Sequence, residues 1–224
     1  MSSRPRRSRD ETRQLLLETG RQVLLEDGLP EGTNIKLTTV LERAGLTTGA
    51  AYQLWKSQSL FQEELALFVA KEFEWARPNT DRSKLRAMAD DRPDLVEGTR
   101  RVAIFYWDAF VSRPEFLMIL HFWSVRNPRE ELSDAIREGY DIVHTGLKEM
   151  FEVTIKVYGL KFREPYGPDD MAVAMTAATE GLVLRQHVDP ERVRRDDDEL
   201  HPGEQIYVGL LQAIIGYFTV PVDS

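Results

Sequence analysis

The sequence predicts an all-α protein, with a small N-terminal helix-turn-helix domain of three helices followed by a larger helical bundle. Three observations carry this. Apolar residues recur at helical spacing in almost every segment, and no alternating run is long enough for a strand. Pro93, Pro114, Pro128 and Pro168 each stand near the start of a helical pattern, where a missing N–H does no harm. The stretch LTTVLERAGLTTGAAYQLW, residues 37–55, stops one short helical pattern at Ala44-Gly45 and begins another almost at once.

The elements follow in order. Thr12 to Glu26 places Leu16, Gly20, Val23 and Leu24 on one face and ends at Gly28. Leu37–Ala44 and Thr48–Trp55 form the two short helices. Ser57 or Ser59 can cap the next helix, residues 59–77, whose stripe is Phe61, Leu65, Phe68, Val69 and Phe73. A polar connector over 78–93 is a candidate hinge. Helices are then expected over 94–111, 115–125, 129–158, 168–187 and 203–219, with Gly139 a candidate interruption of the third. DPERVRRDDDELHPGEQ, between the last two, is a charged surface loop. The domains are accordingly 1–58 and 59–224.

Composition narrows the function classes. Of 224 residues, 42% are apolar, enough to bury a core. The absence of cysteine excludes disulfides and thiolate metal sites and fits a reducing compartment. MSSRPRRSRDETR is basic, but a polar helix follows it, so no signal peptide is expected. No charge-free apolar run reaches membrane-spanning length, and a soluble, cytoplasmic protein is expected. The net charge of −8 hides an asymmetry. Up to residue 60 there are nine Lys/Arg against seven Asp/Glu, and beyond it twenty against thirty. Arg4, Arg6, Arg7 and Arg9 crowd the start. Alone, such an arm is as easily a solvated tail as a binding element.

Two segments are apolar nearly all round: MAVAMTAATEGLVL (171–184) and IYVGLLQAIIGYF (206–218). Such helices must be covered on more than one side. Small residues, Ala174, Ala178 and Gly181 on one and Gly209, Ala213 and Gly216 on the other, allow close backbone approach. They are either two central helices of a monomer or, as favoured here, a homodimer interface of four helices across a two-fold axis.

In residues 37–55, Val40, Ala44, Leu46, Ala51 and Leu54 fall where two crossing helices need apolar groups. Gly45 can take the positive φ of a sharp turn. Thr47 suits the N-cap of the second helix, and Gly49 and Ala50 leave room for a phosphate near that helix start.

On these residues the chain resembles the tetracycline-repressor (TetR) family over about residues 10–70. The resemblance is carried by Thr12-Arg13, the helix ending at Gly28, Glu42-Arg43-Ala44-Gly45, Thr47, Gly49-Ala50, Tyr52 and Trp55. Beyond that it is one of architecture. It implies a dimeric, ligand-responsive transcriptional regulator, usually a repressor, binding a near-palindromic DNA operator. It assigns Thr47, Thr48, Gly49, Ala50, Tyr52 and Gln53 to the recognition helix. Gln53 can pair bidentately with adenine, threonine methyls can meet thymine, and Tyr52 matches a tyrosine that touches phosphate. Thr38 and Thr39 are candidate phosphate donors, and the arginine arm can follow the backbone or the minor groove.

Three departures stand out. The loop GLPEGTN is longer, and hydroxyl positions after it become Ile35 and Lys36. Gln58 stands where the family often has lysine, leaving Lys56 as the nearest replacement. Leu41 and Ala51 exchange the usual small and large residues of the helix crossing, a volume-conserving swap.

By the same resemblance an effector binds among the central helices, where aromatic residues abound. The candidates are Trp107, Phe110, His121, Tyr140 and His144, and a small hydrophobic or aromatic effector is expected. Core packing is the competing role for each aromatic. No Gly-rich phosphate loop, G-x-S-x-G or H-E-x-x-H occurs, and the four histidines lack ligand spacing. No enzyme, metal or cofactor is expected. The alternative function is a helical adaptor that uses its helix-turn-helix on protein partners.

Overall fold

The computed structural model describes residues 7–27, 35–72, 94–111, 113–124, 129–193 and 206–223, with the backbone alone at 108–111 and 122–124. Arg4, Arg6, the 78–93 connector, Phe73, the Asp196–Asp198 run and the Phe110 side chain lie outside it.

Helix α1 (Arg9–Asp27) begins three residues before the expected Thr12. Ser8 and Glu11 explain this. The Ser8 N–H donates to the Glu11 carboxylate at 2.7 Å and the Glu11 N–H to the Ser8 hydroxyl at 3.1 Å. This reciprocal box satisfies two groups of the first turn, and hydrogen bonding to the carboxylate from the Ser8 backbone N–H, then from its side chain, holds the Glu11 carboxyl below its ordinary range. Arg9 is therefore helical and not part of the arm. After α2 (Leu37–Ala44), α3 (Thr48–Tyr52) ends before the expected Trp55. The Leu54 and Trp55 N–H groups both donate to the Ala51 carbonyl, at 2.9 and 2.8 Å, which tightens the chain into a turn. Helix α4 (Gln58–Glu72) follows, and the Ser57 hydroxyl accepts the Leu60 N–H at 3.2 Å, so Ser57 provides the cap.

The later helices are α5 (Leu95–Val111), α6 (Pro114–Ser124), α7 (Glu130–Val157), α8 (Pro168–Val188), the short α9 (Pro190–Val193) and α10 (Ile206–Phe218). Helix α7 is unbroken at Gly139, which is buried within it. One glycine costs a helix interior only about 1 kcal/mol, too little to end a helix of this length. Pro168 sits in the first turn of α8, and Asp170 accepts the Gly167 N–H at 2.8 Å. Two strands were not expected: β1 (Leu160–Phe162) and β2 (Thr219–Pro221) pair antiparallel, with Lys161 opposite Val220. At three residues each, they carry no readable alternation.

The described residues fall into two compact units. The first holds α1–α4, α6 and α7 as far as Gly139, so it extends well past residue 58. Its interior is built on α1 and α4. Leu16, Leu24, Phe61 and Leu65 are fully buried there. Gly20 makes the close approach possible, since a Cβ at that position would lie 3.1 Å from Leu65. The buried face of α4 is Phe61, Gln62, Leu65, Ala66, Val69 and Ala70, while Phe68 is only half-buried. Helix α6 packs on α4 and α1 through a segment that buries Phe116, Met118 and Ile119.

The second unit holds α5, α7 from Tyr140, β1, α8, α9, α10 and β2. Helix α10 packs on both α5 and α8. Its core joins Trp107, Leu147, Phe151, Met171, Tyr207 and Leu211. The buried Thr179 and Tyr207 hydroxyls share a 2.8 Å hydrogen bond, and burial pushes the Tyr207 phenol up to about 12. Among the described residues no helix is long and apolar enough to cross a membrane.

Candidate functional site

The turn between α2 and α3 forms as its composition requires. Gly45 has φ 64°, ψ 36°, a left-handed conformation open to glycine without a Cβ penalty. The Gly45 and Leu46 N–H groups close the end of α2 on the carbonyls of Glu42 and Leu41, at 3.2 and 3.0 Å. Val40, Leu41 and Ala51 are buried, as the helix crossing demands. Thr47 is the N-cap of α3 with extended backbone, but its hydroxyl makes no capping bond.

What remains outside is polar. Thr47, Thr48, Gly49, Gln53, Lys56 and Thr38 are exposed, and Ala50 and Thr39 are half-buried. Tyr52 is 72% exposed, so its ring does not pack over the helix junction. Gln53 lies in the turn just after α3. These side chains are free to meet a large polar surface without unfolding anything beneath them. Arg7 is exposed immediately before the α1 cap.

The unit is fastened by polar side chains that sequence reasoning did not single out. Glu64 of α4 accepts from Trp55 Nε1 at 2.7 Å and pairs with Arg13 of α1. Trp55 is buried and meets Phe61 edge-on, with ring centroids 5.1 Å apart. Arg43 of α2 pairs with Glu26 and with Asp27 at the end of α1, the latter at 3.0 Å. Arg13 and Arg43, two of the cations nearest the motif, are thus engaged within the protein, and the bonds to Glu64 and Glu26 raise their guanidinium pKa values. The sequence pattern that could have exposed Glu64 is its spacing from Phe61 on the buried side of α4.

The effector candidates divide between the units. His121 is half-buried on α6 in the first. Trp107, Tyr140 and His144 belong to the second. Trp107 is 2% exposed, with its ring centroid 5.2 Å from that of Tyr207, so it serves the core. The Tyr140 and His144 rings lie 6.2 Å apart along α7. The Tyr140 hydroxyl donates to Glu180 of α8, a partner that sequence spacing could not reveal. Burial raises the pKa of both, with the Glu180 charge adding to the rise at Tyr140. His144 Nε2 is buried without a hydrogen-bond partner. Of the dimer candidates, Gly181, Gly209, Ala213 and Gly216 are exposed, and Ala174 and Ala178 half-buried. A Cβ added to Gly181, Gly209 or Gly216 would meet nothing within 4 Å.

No protein-family model matches the sequence, and no curated protein matches it. Solved structures do match the fold. A protein assigned as a transcriptional regulator from Rhodococcus sp. RHA1 is 16% identical, with a TM-score of 0.55 over 90% of this chain and 92% of that one. A protein of unknown function from Rhodococcus sp. RHA1 gives 13% and 0.56 over 97% and 99%. Reduced NemR from E. coli gives 18% and 0.50 over 92% and 97%. At these identities the likeness establishes the fold alone, an all-α one shared with these structures.

Proposed function

We propose that this chain is a ligand-responsive transcriptional regulator of repressor type, which binds a near-palindromic DNA operator as a homodimer. The observation that carries the proposal is the surface of α3: Thr48, Gly49, Tyr52 and Gln53 stand exposed around a helix whose buried anchor is Ala51. A recognition helix needs that division, with polar side chains toward base edges and phosphates and apolar ones toward its brace. Gln53 would read adenine, while Tyr52, Thr38 and Lys56 would position the phosphate backbone. The arm that includes Arg4, Arg6 and Arg7 would add salt-sensitive affinity.

The dimer would form through α8 and α10, which expose apolar or small residues at Val173, Gly181, Leu184, Gly209, Ala213 and Gly216. This would set the distance between two recognition helices, and operator half-sites must match it. The effector would be small and hydrophobic or aromatic, held within the helical bundle with polar contacts from Tyr140 and His144. The buried, unpartnered His144 Nε2 supports that assignment, since such an atom calls for a partner. An effector can release DNA only by binding the DNA-incompetent form more tightly, and α4 is the element expected to move.

The test is binding of the full chain to the DNA upstream of its own gene over a salt series. Affinity should fall steeply with salt. Gln53→Ala should weaken binding by about 1–3 kcal/mol at unchanged salt slope, whereas Arg7→Ala should lower the slope by about 1. Absence of binding at low salt would overturn the operator proposal for that site.

A further inference from the structure

Resting on the DNA-binding proposal, we infer that Gln58 of α4, braced by Gln62, is a positioning residue for the recognition unit, which supplies from a distance the N-terminal cap that α2 lacks. A helix start leaves N–H groups without partners inside the helix, and a short polar side chain at the N-cap usually accepts one of them. Helix α2 has Lys36 there, with extended backbone and no side-chain capping bond. A lysine has donors only and cannot fill the role.

Gln58 fills it. Its Oε1 accepts the Leu37 N–H at 2.9 Å, and its Nε2 donates to the Ile35 carbonyl at 2.8 Å. The Gln62 Nε2 donates to the same carbonyl at 2.9 Å, so both lone pairs of that oxygen are used. The clasp has a firm base, because Ile35 is 1% and Gln62 6% exposed. A primary amide accepts and donates at once, and this geometry allows one orientation of Gln58, since Leu37 N–H can meet only its oxygen.

The topology gives these bonds their consequence. Ile35 lies just before α2, Leu37 begins α2, and Gln58 begins α4 beyond α3, so the amide closes the chain around the whole helix-turn-helix. The position of α3 is then fixed at both ends: by the crossing with α2 and by the clasp that ties α4 to the start of α2. Two departures from the family pattern thereby become one compensated change. The missing hydroxyl at Ile35-Lys36 and the glutamine in place of lysine at 58 complement each other. Gln58 faces the protein, and the phosphate contact is left to other side chains.

The experiment compares the parent with Gln58→Ala, Gln58→Lys, Lys36→Ser and the double variant Gln58→Ala/Lys36→Ser. Gln58→Ala should lower Tm by about 2–4 °C, speed hydrogen exchange at the Leu37 amide, and weaken binding to the upstream DNA roughly fivefold. The slope of log K against log salt should stay unchanged, because no phosphate contact is lost. Gln58→Lys should act in the same direction, since it offers no acceptor and puts positive charge at a helix N-terminus. A serine at 36 caps α2 locally, so the double variant should regain most of the lost Tm. Tighter DNA binding with a steeper salt slope in Gln58→Lys would overturn the inference, as would unchanged Leu37 exchange in Gln58→Ala. If the parent binds no DNA, the DNA proposal falls, while the Tm and exchange results still decide the clasp.

Discussion

Helices α3 and α10 both rest on apolar side chains, yet they leave opposite chemistry to solvent. Around α3 the exposed residues are Thr48, Gly49, Tyr52, Gln53 and Lys56, every one but the glycine able to hydrogen-bond. On α10 they are Ile206, Gly209, Ala213, Gly216 and Tyr217, although Tyr207, Val208, Leu211 and Ile215 are already buried on its other face. Helix α8 continues the second pattern with Val173, Leu184 and Val188, the last 80% exposed. A surface meant for nucleic acid must keep its polar groups hydrated until binding. A surface meant for its own copy can be apolar, because association removes it from water. The two regions also differ in how they are held. The α2–α4 region depends on long-range side-chain bonds from Gln58, Gln62 and Glu64, whereas α10 is held mostly by apolar contact with α5 and α8.

Breaking the apolar face should have the largest effect. Ala213→Arg is expected to leave the helical content intact and shift the solution mass to a monomer by sedimentation. DNA affinity should fall about a hundredfold or more, because two linked half-sites no longer act together. Gly209→Ala sharpens this by its sign. On a monomer's exposed helix it should stabilise by up to about 1 kcal/mol, but at a close helix crossing it should weaken the dimer. A monomeric parent that gains stability from Gly209→Ala would erase the contrast between the two faces.

Next comes the interior of the recognition unit. Leu41 and Ala51 are 3% and 2% exposed. Leu41→Ala should cost about 2–5 kcal/mol, and Ala51→Leu alone should also destabilise by overpacking. The double variant should recover part of the loss in thermal unfolding. Strictly additive effects would mean that the two volumes do not compensate each other.

The smallest effect concerns the buried polar pair of the second unit. Burial raises the Glu180 carboxyl above its ordinary value of 4.5. The folded chain therefore holds that proton more tightly than the unfolded one. The resulting stability is present below pH 4.5 and is lost as pH rises through the folded value. Glu180→Gln keeps an acceptor for Tyr140 and removes the titration, so its Tm profile between pH 4.5 and 7 should be flatter than the parent's. An unchanged profile would show that Glu180 is not the group responsible.

Most element boundaries were legible because they are local. Pro114 and Pro168 begin helices, Gly45 ends one, and the apolar face of α1 repeats at helical spacing. One local signal was there to be used: Ser8-x-x-Glu11 announces the true start of α1. The exposed polar face of α3 was legible for the same reason, since burying Ala51 forces its helical neighbours outward. The pair of short strands was not, because Leu160–Phe162 meets Thr219–Pro221 across nearly sixty residues (about 1.5 Å of rise for each helical one).

What residue order settled, then, was the helical class, the turn at Gly45 and the polar face of α3, all governed by neighbours within a turn or two. Tertiary structure alone decided which partners complete them. Gln58 reaches back to Leu37, Glu64 joins Arg13 to Trp55, and Tyr140 finds Glu180. Each is a hydrogen bond between residues on different elements. Such bonds depend on where packing puts two side chains, and no spacing rule along the chain encodes that.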